Sequence, residues 1–325
     1  MDRSGLDHID NLGSIQEVRV KVLLVDGKNL SYRCFVAGDF TTKEGEHVEV
    51  PFLFIKILSK IIRDVGNVDR VIVCWDGGRS TVRKHFYPAY KEHGEVPNSL
   101  TAISNQVVLQ YAKLKEILTA LGVYTLQYPN VEADDLLAYL TKFSLEDSYV
   151  IVSSDKDYLH LVSEKVEVSD GRGKWSKLIY FRETNRGLTP QGYLYAHALL
   201  GDGSDNIEGI PGIGWGTIED IAPLLNDLTT ASALGRVLQA EFPKPSKRIQ
   251  TIIDNLLIFK RNLFLIDLKS PERHIYKHTV LDMENVLASD IRFNDNKVLE
   301  FLKQHEMQSL VTRFQYWFAP YMHLK

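Results

Sequence analysis

The sequence predicts an α/β protein: a mostly parallel sheet covered by helices on both faces, followed by a helical C-terminal region. Three observations carry this expectation. Four short runs rich in β-branched residues, VRVKVLLVDG, RVIVCWDGG, VYTLQYP and SYVIVSSDKD, alternate with segments of helical spacing. The longer runs are continuously apolar instead of alternating, as strands buried on both faces must be. Beyond about residue 188 the pattern becomes helix, glycine turn and helix.

Residues 1–17 lack apolar periodicity and read as a flexible leader. The first strand ends at Asp26, where its apolar run meets Asp-Gly. Residues 51–63 have apolar side chains at helical spacing, and RVIVCWDGG follows as a strand ending at Asp76. A polar, aromatic-rich stretch leads into one helical pattern that runs from about residue 101 and stops at Gly122. VYTLQYP is a short strand, VEADDLLAYLTKF a helix with acids in its first turn, and SYVIVSSDKD a strand with acids at its end. LTPQGYLYAHALLG is a helix ending near Leu200, and another starts near Thr217. The expected units are a leader (1–17), a core (18–188) and a helical region (189–325) with little chemical signal in its last hundred residues.

The 325 residues are 44% hydrophobic and 25% charged, an ordinary globular composition. No apolar run reaches the length of a membrane span, and the first residues lack a basic head with an apolar block, so the expectation is a soluble intracellular protein. Its two cysteines, Cys34 and Cys74, lie in apolar surroundings and read as buried free thiols. The net charge of −4 argues only weakly against nucleic acid, because a total says nothing about distribution. Basic stretches occur at RSTVRKHFYPAYK, at Arg172, Lys174, Lys177, Arg182 and Arg186, and at KPSKRIQ; each alone is more often a solvated face.

In an open parallel sheet the ligand crevice lies outside the carboxyl ends of the strands, where Asp26, Asp76, Asp155 and Asp157 fall. Glu132, Asp134 and Asp135 start a helix, where free N–H groups and the helix dipole soften their repulsion. Asp202 and Asp205 stand three apart beside the glycine turn. Any one of these acids could be a cap or turn residue; nine at strand ends and element starts point to a cation. Carboxylates without cysteine pairs and with few histidines suit Mg²⁺ or Mn²⁺ over zinc, and no twelve-residue calcium loop is present. Two such ions about 4 Å apart make phosphodiester hydrolysis the natural reaction, although a phosphatase would use the same metals. The turn NIEGIPGIG, with Gly209, Gly212 and Gly214, offers backbone N–H groups for sequence-independent contact with a sugar-phosphate chain.

Together LLVDGKNLSYRCF (23–35), VCWDG (73–77), VRKHFYPAYK (82–91), VEADD (131–135), SSDKDYLHLV (153–162) and GDGSDNIEGIPGIG (201–214) resemble the 5′-nuclease family of bacteriophage 5′-to-3′ exonucleases, flap endonucleases and the nuclease domain of bacterial DNA polymerase I. The resemblance covers roughly residues 20–220. It implies a PIN-like nuclease core with a helical arch at about 79–110 and a helix-hairpin-helix that grips duplex and can hold K⁺. It implies two Mg²⁺, replaceable by Mn²⁺: one site from Asp26, Asp76, Glu132, Asp134 and Asp135, the other from Asp155, Asp157, Asp202 and Asp205. Arg83 and Lys91 match the catalytic pair over the scissile phosphate. Arg33, Arg79, Tyr87, Tyr90, Gly209, Gly212, Gly214 and Thr217 are the expected nucleic-acid contacts, with Tyr87 and Tyr90 stacking on bases. The implied activity is 5′ exonuclease and 5′-flap endonuclease on branched or nicked duplex DNA with a 5′ single strand, extending to RNA–DNA hybrids in primer removal. The protein would act as a monomer in the cytoplasm, or in the host cytoplasm if phage-encoded; the alternative is a catalytically silent protein that binds branched DNA. Two departures stand out: Glu92, His93 and Gly94 follow YK where many members continue with arginine, and Gly214-Trp215-Gly216-Thr217 omits the lysine common in the hairpin.

Overall fold

The computed structural model describes residues 20–92, 98–143, 147–271 and 274–325; the expected leader, His93 and Gly94 lie outside them. Strands β1 (Lys21–Asp26), β2 (Arg70–Trp75), β3 (Tyr124–Gln127), β4 (Ser148–Val152), β5 (Val166–Ser169) and β6 (Trp175–Ser176) form one sheet in the order β3-β2-β1-β4-β5-β6. The first five are parallel and β6 is antiparallel to β5, so the sheet is mixed. All four expected strands are present. The additional β5 and β6 have four and two residues, too short for periodicity to mark.

Helices α1 (Gly27–Ala37), α2 (Glu49–Val65), α3 (Thr81–Phe86), α4 (Asn98–Leu109), α5 (Tyr111–Ala120) and α6 (Ala133–Leu140) complete the first half. The single helix expected up to Gly122 is divided between α4 and α5. At the break, Gln110 is buried: its Oε1 accepts from the Val50 N–H at 3.0 Å and its Nε2 donates to Glu49 at 2.8 Å. That side chain satisfies an N–H group and a carboxylate at the buried start of α2, a tertiary demand that periodicity does not encode.

Strand alternation divides the core in two. Leu23, Val25, Val71, Val73, Val150 and Val152 face Phe54, Leu58, Leu114 and Ile117 of α2 and α5. Val22, Leu24, Ile72, Cys74 and Ile151 face Leu136, Leu137 and Leu140 of α6. Cys34 and Cys74 are both free and buried, in different cores. Helices α7 (Phe181–Thr184), α8 (Pro190–Leu200), α9 (Trp215–Asp227), α10 (Leu234–Glu241), α11 (Lys247–Asp254) and α12 (Leu256–Ile266) follow. The packing does not divide at residue 188. Leu199, Ile218 and Phe259 join the α6 core, while Phe301, Leu302, Phe318 and Tyr321 join the other, where the Tyr321 hydroxyl donates to the Ile55 carbonyl at 2.9 Å. No helix among the described residues is long and apolar enough to cross a membrane.

One buried polar contact predicts a pH dependence of stability. His160 is 3% exposed and its Nε2 accepts from the Leu268 N–H at 3.0 Å, which requires a neutral ring. Burial, with Lys269 and His197 nearby, pushes its pKa down to about 3. A depressed histidine favours the unfolded state as pH falls, because only the unfolded ring then takes up a proton. Its unfavourable contribution is absent above about pH 6.5 and grows by roughly 1.4 kcal/mol per pH unit down to about 3. Urea unfolding of wild type and His160→Gln across this window should differ in slope by that order; parallel curves would remove His160 from the account.

Candidate active site

The chain builds β1, β2 and β3 outward to one side and then crosses back to place β4 on the other side of β1, so the strand order reverses between β1 and β4 and the crevice opens at their carboxyl ends. Asp26, the last residue of β1, caps α1 by accepting from the Asn29 N–H at 3.0 Å. Its other oxygen accepts from Ser153 at 3.1 Å and Tyr158 at 3.3 Å, and burial, reinforced by Asp76 and Asp155, pushes its pKa up to about 6. Asp76, just past β2, accepts from the Ala133 N–H at 2.9 Å and pairs with Lys28 at 3.1 Å. It thereby fixes the start of α6 against the strand ends.

Two groups of acids face this edge. Glu132, Asp134 and Asp135 offer carboxylate oxygens within 4.8 Å of one another, as do Asp157, Asp202 and Asp205. Asp26 and Asp76 fall outside both groups, and exposed Asp155 accepts from the Asp157 N–H at 3.0 Å. Asp202 accepts from Ser204 N–H and hydroxyl at 2.7 and 2.6 Å on the hairpin of β7 (Gly201–Asp202) and β8 (Ile207–Glu208). Burial raises the pKa of Asp157 well above the carboxylate range, with Asp155 and Asp202 adding repulsion. Burial likewise pushes Asp205 up to about 6 against the pull of Lys91. Carboxylates gathered at such a cost, with oxygen as the donor set, suit a hard divalent cation.

Tyr90 and Lys91 join the two groups. The Tyr90 hydroxyl donates to Glu132 at 2.7 Å and lies 3.3 Å from Asp205. Lys91 Nζ is 3.2 Å from Glu132 and 3.5 Å from Asp205. Burial opposes the Lys91 charge, but Asp134, Glu132 and Asp205 outweigh it and raise its pKa.

Several expected roles differ from what is observed. Arg83 is 1% exposed; its Nη1 and Nη2 hold Asp135 at 2.6 and 2.8 Å, Nη1 reaches Glu132 at 2.9 Å, and Nε donates to the Leu265 carbonyl at 2.8 Å. A guanidinium so engaged cannot lean over a phosphate without leaving these partners, and Asp135 has one hydrogen bond from Arg83 on each oxygen while standing in one of the two acid groups. Tyr90 is 1% exposed and cannot stack on a base. Gly209 is closely packed, since a Cβ there would lie 1.9 Å from the Leu200 carbonyl oxygen, and Thr217 is buried. Arg33 donates to the Asp170 carbonyl at 2.6 Å and ties α1 to the turn after β5. Tyr87 is half-buried, whereas Arg79, Gly212 and Gly214 are exposed, with Gly212 at φ +75°.

Replacing Arg83 by Met should destabilise the protein by about 3–5 kcal/mol, because Asp135 would remain buried and unpaired. Arg83→Met with Asp135→Leu should recover much of the loss. Chemical denaturation of both variants checks this; a mild single mutant would contradict it.

Residues 21–186, just over half of the chain, match the family described as 5′-3′ exonuclease, N-terminal resolvase-like domain. The chain belongs to the 5′-nuclease family. It is 35% identical over 218 residues to the thermostable DNA polymerase I of Thermus thermophilus, which covers 63% of this chain and 25% of the polymerase. DNA polymerase I of Mycobacterium tuberculosis is 34% identical over 202 residues, 59% of this chain and 22% of the polymerase. The chain thus spans about a quarter of these curated relatives. In fold it is similar to the T5 D15 flap endonuclease solved with DNA and metal ions, at TM-score 0.60 and 23% identity over 88% of this chain and 99% of that one.

Sequence reasoning missed the residues that hold these acids in place: Lys28 on Asp76, Ser153 and Tyr158 on Asp26, Ser204 on Asp202. Lys28 stands two residues past Asp26 yet pairs with Asp76, so its spacing in the chain points to the wrong acid.

Proposed function

We propose that the protein is a divalent-metal-dependent 5′-to-3′ exonuclease and 5′-flap endonuclease on branched or nicked duplex DNA, and that it removes RNA primers during replication. The observation carrying this reading is the pair of acid groups at the strand-end crevice, bridged by Lys91 and Tyr90. Divalent cations, two Mg²⁺ or Mn²⁺, would supply Lewis acidity and nucleophile activation when bound. Glu132, Asp134, Asp135, Asp157, Asp202 and Asp205 would hold them, with Asp26, Asp76 and Asp155 at the same strand-end edge. Lys91 places positive charge between the groups, where negative charge develops on the phosphoryl oxygens. Arg83 positions Glu132 and Asp135 from below.

In this reading the PIN-like core (18–188) performs the chemistry. The 189–325 region grips duplex through the exposed turn at Gly212 and Gly214, with K⁺ a further ligand of that turn, and Arg79 meets phosphate. The T5 D15 flap endonuclease, a fold relative, supports the assignment. Labelled 5′-flap, nicked, hairpin and RNA-primer duplexes should be cut near the single-strand junction, and chelation should abolish the products. Preference for a 3′ flap would contradict the substrate; binding of forked DNA without any metal-dependent product would make the protein a silent branch binder.

A further inference from the structure

A third set of metal-ligating side chains lies away from the crevice, in the loop between α1 and α2. Helix α1 starts beside Asp26 and its eleven residues carry the chain about 16 Å onward. The loop then folds into a tight hairpin: Thr41 bridges His47, the Val48 N–H donates to the Phe40 carbonyl at 2.9 Å, and Gly45 supplies the turn at φ +81°. The Phe40 ring packs 4.8 Å from that of Phe52 on α2. Further ties come from distant parts of the chain, where Glu46 pairs with Lys113 at 2.8 Å and with His305 at 3.0 Å, and the Lys43 N–H donates to Glu306 at 2.8 Å. The hairpin is thus a fixed support. It brings Asp39 and His47, one from each arm, together with Glu49, the first residue of α2.

These three side chains offer ligand atoms within 4.8 Å of one another. His47 Nδ1 lies 3.3 Å from Glu49 and 4.0 Å from Asp39. Bonds of about 2.1 Å to a tetrahedral ion put neighbouring ligand atoms about 3.4 Å apart, so the His47–Glu49 edge already fits and a small rotation of exposed Asp39 closes the rest. Glu49 carries the argument beyond spacing. Its side chain is 2% exposed, and Oε1 accepts from the neutral Gln110 amide at 2.8 Å. Among the described residues Oε2 has no partner besides His47, and neither oxygen meets a lysine or an arginine. A buried carboxylate needs a compensating cation. Either His47 supplies it as an imidazolium, or an ion stands among the three side chains. A charge-assisted N–H···O bond closes to about 2.7–2.9 Å. The 3.3 Å separation is long for that pair and right for two ligands of one ion.

We propose that Asp39, His47 and Glu49 bind one borderline divalent cation of the Zn²⁺ class, with water completing the tetrahedron, and that this ion fastens the hairpin to the start of α2. The imidazole nitrogen sets the site apart from the carboxylate groups of the crevice, whose oxygen donors suit Mg²⁺ or Mn²⁺. It stands whether or not the protein is a nuclease.

The test measures Zn²⁺ content after dialysis in wild type, His47→Gln, Asp39→Asn and Asp202→Asn, and the electron paramagnetic resonance spectrum of Cu²⁺ bound in place of zinc. Wild type should hold one more Zn²⁺ per chain than His47→Gln or Asp39→Asn, whereas Asp202→Asn, altered in the crevice, should keep that ion. Affinity at this site should fall in His47→Gln by more than the roughly ten- to a hundredfold that loss of an outer partner costs. Bound Cu²⁺ should show splitting from a single imidazole nitrogen, and His47→Gln should abolish it. Zn²⁺ should raise the Tm of wild type further than that of His47→Gln. Both substituted hairpin residues are exposed, so the variants should fold, and melts without metal check this. Equal Zn²⁺ content in wild type and His47→Gln, or nitrogen splitting that survives the substitution, overturns the site. So does loss of the nitrogen-ligated ion in Asp202→Asn, which would place it in the crevice. A wild type that retains no zinc also overturns it and leaves a protonated His47 as the cation beside Glu49.

Discussion

Asp157→Asn should remove most cleavage and at the same time make the metal-free protein more stable. The carboxylate stands within 4.8 Å of Asp202 and Asp205, and burial together with Asp155 and Asp202 keeps its pKa far above the usual range. A raised carboxyl costs stability when ionised: the folded state holds the proton more tightly than the unfolded one, so stability falls as pH rises. For Asp205 this fall runs from about 3.8 to about 6. Asparagine keeps the shape, is neutral without having to take up a proton on folding, and should raise Tm by roughly 2–4 °C per kcal/mol relieved. Loss of one cation ligand should slow single-turnover cleavage roughly a hundredfold or more, since metal stabilisation of the transition state is worth several kcal/mol. Mg²⁺ or Mn²⁺ should stabilise wild type in a thermal melt and do so much less in the variant. A variant that cuts at the wild-type rate, or that gains as much from Mg²⁺, would remove Asp157 from the metal site.

Why the acids were legible and their partners were not follows from what spacing can express. Asp26 and Asp76 end apolar runs, and parallel topology sends such ends to one edge whatever the loops do. Arg83 lay in a recognisable basic stretch, but spacing cannot show that α3 packs with that face toward α6, leaving Asp135 both oxygens on the guanidinium. Tyr90 was misplaced for the same reason: an aromatic between basic residues looks like a stacking ring until its hydroxyl is found between Glu132 and Asp205. Gln110 interrupts a helix for the benefit of Val50 and Glu49, sixty residues away in sequence. Gly209 read as an opening for phosphate, whereas the Leu200 carbonyl fills the space where a side chain would stand. Strand-end chemistry is thus local and readable, while the second partner of each group is tertiary.

Lys91 is where the catalytic and tethering roles of a cation can be separated. Its backbone sits at φ +52°, an unfavourable region for a residue with a Cβ, and the N–H bond to the Asp205 carbonyl holds it there. The strain places Nζ between Glu132 and Asp205 with the side chain still 26% exposed, so that it can reach a phosphate entering the crevice. A charge that meets the transition state more strongly than the bound substrate lowers turnover when removed, even at saturation. Lys91→Ala should therefore reduce single-turnover cleavage in Mg²⁺ by roughly ten- to a thousandfold with enzyme in excess. Alanine carries a Cβ as lysine does, so the left-handed backbone is no easier for it, and any local rearrangement on losing the side chain would confound charge with geometry. Lys91→Asn resolves this, because asparagine enters that region more readily and carries no charge. Both variants should show the same catalytic defect, while binding in Ca²⁺ weakens less than turnover does. Full-rate cleavage at saturation, with weakened Ca²⁺-supported binding, would make Lys91 a phosphate tether; a defect in the alanine variant alone would assign the effect to the backbone.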